Sequence, residues 1–265
     1  MKDIIKPLTL IDYFSIEHED IHKLYDRNRI RNNYLKIDNH TSREKISILF
    51  DGMWKAMIYN TNRLKYSCKL LSYYLNIPYE ELLKSLSLGK NELDKRNINN
   101  KGQRADYIAN YKNICINIEI NNNDNEEIMK RNREYRHRLQ SQKVKVGDDY
   151  DYAYVLQLHI NNFAFEGKED IKYIHYLKDK DGDLECDNEI VVHIYVPNLY
   201  KKWYTSGIES LTEEERFLLV MIEPDVEKAR LLAKGDKIME EYVEESLKVS
   251  QDDDLLEAYD KEWAY

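Results

Sequence analysis

Asp106 and Glu119 are the residues whose type and spacing point most directly to chemistry. Around Glu119 the sequence alternates with a period of two: Ile114, Ile116, Ile118 and Ile120 face one way, and Cys115, Asn117, Glu119 and Asn121 the other. That is the pattern of a strand. A second extended run over 104–109, joined to it by a turn at 110–113, predicts a β-hairpin, and hairpin pairing can set Asp106 beside Glu119. Two carboxylates and the main-chain carbonyl of Ile120 make an oxygen-rich set suited to Mg²⁺ or Mn²⁺. Such an ion lowers the pKa of bound water and stabilises charge on a phosphodiester in its transition state. The alternative is a pair of solvated surface carboxylates, since exposed acids are common. Glu119 argues against that, because it lies in an Ile-rich strand of the kind found inside sheets, and a buried acid there needs a partner or a metal.

The segment that follows carries the opposite charge. Residues 128–146 hold seven Lys and Arg against one Glu, a net of +6. Lys130, Arg131, Arg133, Arg136 and Arg138 can all be offered to phosphates, where arginine binds bidentately. The chain as a whole has a net charge of −9, which at first sight disfavours nucleic acid. Most of that charge sits in one place: residues 239–265 hold ten acids and two lysines, a net of −8. The body is therefore nearly neutral and contains one concentrated basic stretch.

These residues need a scaffold, and the composition allows one. With 42% hydrophobic and 34% charged residues, 265 residues can bury a sizeable core, which excludes global disorder. Only 8 Gly and 4 Pro argue against a many-turned β-sandwich. The three cysteines, Cys68, Cys115 and Cys186, are scattered, so neither a disulfide framework nor a zinc site is expected. Apolar residues at helical spacing predict helices over 46–57 (Ile46, Leu49, Phe50, Met53, Met57) and over 64–75 (Leu64, Cys68, Leu71, Leu75), the second ended by Pro78. A third helix is expected over 79–88, stopping at Gly89. After a polar loop at 90–102 come the hairpin, a basic helix over about 126–143, and strands over 154–160, 171–177 and 189–196, with a turn at 179–182. Thr212 to Glu215 reads as a capping box, Pro224 separates that helix from one over 225–247, and Asp252–Asp254 can open a last helix. Residues 1–43 read as a polar extension in which Ser15 can cap a short helix to Leu24.

The motifs in this order resemble the PD-(D/E)XK nuclease superfamily, within it the recombination-promoting nuclease (Rpn)/putative transposase group. Asp51, Trp54 and Lys55 resemble that group's opening D-x-x-F-K helix, with Trp for Phe. Leu75-Asn76 is similar to its "LN" segment, Arg104-Ala105-Asp106 to its R-x-D, and Ile116 to Asn121 to its apolar-x-I-E-x-Q strand. Lys130-Arg131, Tyr135, Gly147 and Tyr150 resemble its K-R-x-x-x-Y…G-x-x-Y run; 190–197, Tyr200 to Trp203 and 257–264 resemble its later elements. The resemblance runs from about Leu49 to the end. It implies a restriction-endonuclease-like α/β core, a central mixed sheet flanked by helices, with Asp106 and Glu119 as metal ligands. The departure is Asn121, where the superfamily has Lys and this group commonly Gln. Asn cannot act as a base at neutral pH, though it can hydrogen-bond the attacking water. Activation would then rest on the metal, on a second residue such as Lys112, or on the substrate phosphate.

The expectation is thus a nuclease-like core over 44–205, an N-terminal extension over 1–43 and a helical region with an acidic tail over 206–265. The expected function is a DNA endonuclease of low sequence specificity that uses Mg²⁺ or Mn²⁺, with Asp106, Glu119 and Ile120 on the metal, Asn121 at the water, and Lys130, Arg131 and Arg133 on the DNA backbone. The alternative is an inactive nuclease-fold protein that binds DNA or builds an assembly; a phage or mobile-element setting fits either. A third reading, resting on the acidic tail, is an interaction module without nucleic acid. The partners expected are DNA, no membrane, and a second copy or an assembly partner holding the termini. No apolar run approaches ~20 residues and no signal peptide is visible, so a cytoplasmic place, or one in a phage particle, is expected. His137 reads as an exposed helix histidine, and His159, His175 and His193 as core or edge residues of three strands.

Overall fold

The alternating run is a strand, β6 (Ile114–Asn121), and it lies near the middle of the molecule's main sheet. The computed structural model describes residues 35–36, 44–93, 103–123, 126–141, 154–164, 167–179, 181–184 and 188–263. The expected helix at 15–24, the loop at 94–102, Gly147, Tyr150 and Cys186 lie outside the described residues.

Six strands form the main sheet in the order β2 (Ser87–Leu88), β5 (Tyr107–Tyr111), β6, β7 (Tyr154–Asn161), β10 (Glu189–Tyr195) and β9 (Lys172–His175). β6 and β10 both run parallel to β7, and the outer pairings are antiparallel, so the sheet is mixed and open. Two short ladders stand apart from it: β1 (Leu35–Lys36) with β8 (Phe163–Ala164), and β3 (Glu92–Leu93) with β4 (Gln103–Arg104).

Pleating gives this sheet two unlike faces. Ile116 and Ile118 share one with Leu156, Leu158, Ile160, Val192 and Ile194, all buried. Helices cover it: α1 (Asp51–Met57), α2 (Leu64–Leu75), α3 (Tyr79–Ser85), α5 (Val196–Ser206), α6 (Glu213–Ile222), α7 (Val226–Ala233), α8 (Lys237–Val249) and α9 (Asp253–Trp263) supply a single apolar core with it. Tyr242 of α8 meets Tyr66 of α2 and Phe217 of α6 edge to face at 5.0 and 6.0 Å, and Tyr259 of α9 meets Phe50 at 5.2 Å. The C-terminal helices therefore complete the core and do not form a separate body. Lys45 is buried among them; its ammonium donates to the Glu223 carbonyl at 2.7 Å, and burial holds its pKa down to about 7. The other face is roofed by the crossover helix α4 (Glu126–Ser141), which joins β6 to the parallel β7 and packs on both.

Several boundaries differ from the sequence expectation, some through a tertiary contact and some through a local turn of the backbone. The first helix begins at Asp51, because 46–50 is held as a buried turn by Ile48 N–H to Met221 O (3.3 Å) and Ile46 N–H to the Ser250 hydroxyl (2.9 Å). α2 covers Leu64–Leu75 as expected, but it is stopped by Asn76 in the left-handed region (φ 52°), before Pro78 is reached. α3 stops at Ser85, since Ser87 and Leu88 pair with Asn110 and Ala109. The hairpin turn is only Lys112–Asn113, with Lys112 at φ 52°. The expected helix over 225–247 is two helices, broken at Gly235 (φ +87°). The capping box of Thr212 and Glu215 is formed as expected. No helix among the described residues is long and apolar enough to cross a membrane.

Leu158 lies in β7 between two parallel neighbours and is wholly buried. Leu158→Ala is expected to cost about 2–5 kcal/mol in urea unfolding, whereas Leu231→Ala, at a position 53% exposed, is expected to change stability by roughly 0.5 kcal/mol or less.

Candidate functional site

Asp106 stands one residue before β5, not within it, and the hairpin still brings it to Glu119. Tyr107 is opposite Ile118, so the next pair outward is Asp106 and Glu119, and directly opposed antiparallel residues share a face. The two are also tied reciprocally: Asp106 N–H points at Glu119 Oε1 (3.4 Å), and Ile120 N–H donates to Asp106 Oδ2 at 2.9 Å. Trp54 of α1 donates its indole N–H to the Asp106 carbonyl at 3.1 Å, fixing the bend that aims the carboxylate.

Glu119 is completely buried. Its Oε1 accepts from the Asn117 amide at 2.8 Å, while Oε2 has no hydrogen-bond partner among the described residues. The nearest cation to it is the Arg131 guanidinium, 3.7 Å away and beyond hydrogen-bond reach. Burial, then the charge of Asp106, push the Glu119 pKa up to about 8; the bond from Asn117 and the charge of Arg131 oppose this without cancelling it. Asp106 is raised too, chiefly by burial, against the Ile120 N–H that favours its ionised form. Asp51 and Lys55, an ion pair within α1, act on Asp106 in opposite directions, the first raising its pKa and the second lowering it. Lys55 thus pairs with Asp51 while its charge acts on Asp106.

Whether a divalent ion fits can be judged from these atoms. A buried carboxylate oxygen without a hydrogen bond, a second carboxylate opposite it, and charges that make both acids hard to ionise alone are what a cation would relieve. Ile120 points its N–H toward Asp106, so its carbonyl, on the same edge of the strand, faces that side as well. No group of three or more His, Cys, Asp or Glu that could hold a metal occurs among the described residues. The protein donors are then two carboxylates and one carbonyl, which suits Mg²⁺ or Mn²⁺, ions that retain several waters.

Asn121 is on the Glu119 face, as alternation requires, but its amide is spent inside the protein. Nδ2 donates to Asn161 Oδ1 (2.9 Å) and lies 3.3 Å from His159 Nδ1, and Oδ1 accepts from Asn132 at 3.2 Å. Asn132 also lies 3.0 Å from His159 Nδ1. His159 is therefore an acceptor at Nδ1, and burial followed by the neighbouring His193 keeps its pKa well below the usual histidine value. Its ring stacks on His193 with centroids 4.6 Å apart. Gln157 completes the row, donating to Asn117 Oδ1 (2.7 Å) and to the Asn132 carbonyl (2.8 Å). Sequence reasoning passed over this network. Its signal was the alternation in β7, where Gln157, His159 and Asn161 mirror Asn117, Glu119 and Asn121 residue for residue.

The basic helix divides its charges. Lys130, Arg131 and Arg133 are exposed. Arg136 turns inward to an ion pair with Glu189 and a 3.2 Å bond to Gln157, and Arg138 is buried against Glu134, so neither is offered to phosphate as expected. Lys112 is ruled out at the site: it sits at the far end of the hairpin, paired with Glu81 at 2.9 Å. Asp179 accepts from the N–H groups of Asp181 and Asp183, a hairpin turn as expected. Compared with protein-family models, with curated proteins and with solved structures, the chain finds no match.

The raised pKa of Glu119 has a stability consequence with a definite sign. The folded state binds a proton more tightly than the unfolded state, so the contribution is fully present below about pH 4.5 and is lost as pH rises through about 8. The urea midpoint of the wild type should fall relative to that of Glu119→Gln across this window and run parallel to it above pH 8.5. Added Mg²⁺ at pH 8 should raise the wild-type midpoint and leave the variant's unchanged.

Proposed function

We propose that the protein is a metal-dependent DNA endonuclease of low sequence specificity, with a restriction-endonuclease-like core of the PD-(D/E)XK type. The observation that carries the reading is the pair Asp106 and Glu119, opposed on one face of the sheet with a buried Glu119 oxygen lacking a hydrogen bond among the described residues, beneath the exposed basic side of α4. Bound there, Mg²⁺ or Mn²⁺ would supply an activated water and charge neutralisation at phosphorus.

The chain's own residues do the remaining work. Asp106 and Glu119 hold the cation, joined by the Ile120 carbonyl. Trp54 and Asn117 fix the two acids in place through the Asp106 carbonyl and Glu119 Oε1. Arg131, beside Glu119, and Lys55, whose charge acts on Asp106, give the carboxylates positive charge that a phosphodiester can meet. Lys130 and Arg133 extend that surface along the helix. Asn121, held by Asn161, His159 and Asn132, takes a positioning role in the strand instead of a direct hold on water. Contacts of this kind reach backbone phosphates and not base edges, which is why low sequence specificity is part of the proposal.

A second reading is favoured by one observation. The position where the superfamily carries Lys holds Asn121, whose donors are both committed, so that strand offers no proton-transfer group. The same fold would then bind DNA without cutting it.

Supercoiled-plasmid nicking separates the two. The wild type is expected to nick with Mg²⁺ or Mn²⁺ and not with EDTA, and Asp106→Ala and Glu119→Gln to fall to the EDTA background while retaining DNA binding. Absence of metal-dependent nicking by the wild type, with binding intact, leaves the second reading. Binding itself should weaken with salt, and Arg131→Ala with Arg133→Ala should flatten the log–log slope by up to about two units on duplex DNA. An unchanged slope places the DNA surface elsewhere.

A further inference from the structure

β9 ends the six-stranded sheet, and its outer edge is paired with no strand among the described residues. Its hydrogen-bonding phase is fixed by the inner neighbour. Tyr195 N–H donates to the Ile171 carbonyl at 2.9 Å, so Ile171, Tyr173 and His175 direct their main-chain groups toward β10. Lys172 and Ile174 then direct theirs outward. Exposed edges of this kind are usually blunted. Here the blunting residue is withdrawn: Lys172 bends back to Glu214 of α6 at 2.9 Å. Ile174 is left 53% exposed on the edge strand, with Tyr176, Leu177, Leu184 and Ile190 exposed around it. Beside them a cavity of about 270 Å³ opens on the apolar face of the sheet, lined by Tyr154, Ile174 and Ile190 among others. Apolar side chains grouped at a free edge mark an interaction surface more often than scattered ones do.

The sequence of this edge says what covers it. Read outward from Ile174, residues 170–178 are chemically self-complementary in antiparallel pairing: Ile174 meets Ile174, Tyr173 meets His175, Lys172 meets Tyr176, Ile171 meets Leu177, and Asp170 meets Lys178. No like charges oppose, and the outermost pair is of opposite sign. The same register makes Ile174 with Ile174 a hydrogen-bonded pair and puts Lys172 in the next one, and these are the β9 residues whose main-chain groups face outward. Shifting the centre by one residue to Tyr173 sets Lys168 against Lys178 and Glu169 against Leu177. We propose that β9 pairs with β9 of a second copy of this chain about a two-fold axis at Ile174, extending the sheet across the dimer and joining the two exposed apolar patches. An isologous contact of this kind closes on itself, so the assembly stops at two. The inference does not rest on the nuclease reading.

Sedimentation equilibrium of the full chain over a range of micromolar concentrations tests it. The wild type is expected at twice 31.9 kDa. Ile174→Lys, which faces two ammonium groups across the axis, is expected at the single-chain mass with an unchanged far-UV circular dichroism spectrum, and Ile174→Val at the dimer mass. Disulfide trapping fixes the register even if the Lys variant folds poorly. Cys68 and Cys115 are buried, so a Cys186→Ser background removes the remaining thiol. In it, Ile174→Cys should cross-link on mild oxidation, because residues in a hydrogen-bonded pair lie ~5.5 Å apart at Cα. Lys172→Cys should not, since its own copy lies four residues away along the partner strand, ~13 Å. A monomeric wild type, a dimer or larger species untouched by Ile174→Lys, or cross-linking by Lys172→Cys in place of Ile174→Cys would each overturn the proposal.

Discussion

A polar sheet face sealed under one helix sets the terms for the rest of this structure. β6 and β7 turn Asn117, Glu119, Asn121, Gln157, His159 and Asn161 away from the apolar core, and all six are buried. Buried polar groups must find partners or cost about 1–3 kcal/mol each. They find them in one another and in Asn132 of α4, whose side chain reaches Asn121 and His159 while its carbonyl takes Gln157. Asn132 belongs to the inward stripe of that helix with Tyr135, Arg136 and Leu139, at i, i+3, i+4 and i+7, so one face of a basic helix is committed to the network. Within this network the acceptors left over are Asn132 Oδ1 and Glu119 Oε2. The second lies beside another carboxylate, with the Arg131 guanidinium 3.7 Å away.

The same division explains the arrangement of charge around the two acids. Burial makes each reluctant to ionise, and their proximity makes the second ionisation harder still. The charges of Lys55 and Arg131 offset part of that cost without forming a hydrogen bond to Glu119 Oε2. A full salt bridge would have quenched the pair; a looser one leaves it poised. The helix that supplies Arg131 also turns Lys130 and Arg133 outward, since residues three apart on a helix share a side. The acid pair and the basic surface therefore come from a single crossover and cannot be placed independently.

The alternation of β6 and β7, the stripe of α2, the capping box at Thr212 and the opposed pair Asp106 and Glu119 were all legible in the residues, because each depends on neighbours within one element or across one tight turn. The polar network was half legible: the alternation in 154–161 is plain, yet only its pairing with β6 shows that two polar faces lie side by side. Element ends were the least legible. The helix expected over 79–88 loses its last turn because Ser87 and Leu88 find a strand to pair with, and that over 46–57 loses its first because Ile46 and Ile48 bond to Ser250 and Met221. Periodicity reports which side of an element is apolar and is silent on where a distant backbone will compete for its hydrogen bonds.

What the sequence determined by itself is therefore local: which segments alternate, which run with a helical period, and which acids and bases are gathered in 104–146. Tertiary structure decided which of those charges are used and for what. Arg136 and Arg138 look identical to Arg131 and Arg133 in the sequence, but the packing of the helix on the sheet sets Arg136 against Glu189 and buries Arg138, which keeps only its own-helix partner Glu134, and leaves Arg131 and Arg133 exposed. Asn121 looks poised for water and is instead consumed by Asn161, His159 and Asn132, which come from two other elements. The physical reason is one and the same: a hydrogen bond or ion pair is a contact of about 3 Å, and only packing brings residues as far apart in the chain as Asn121 and Asn161 to that distance.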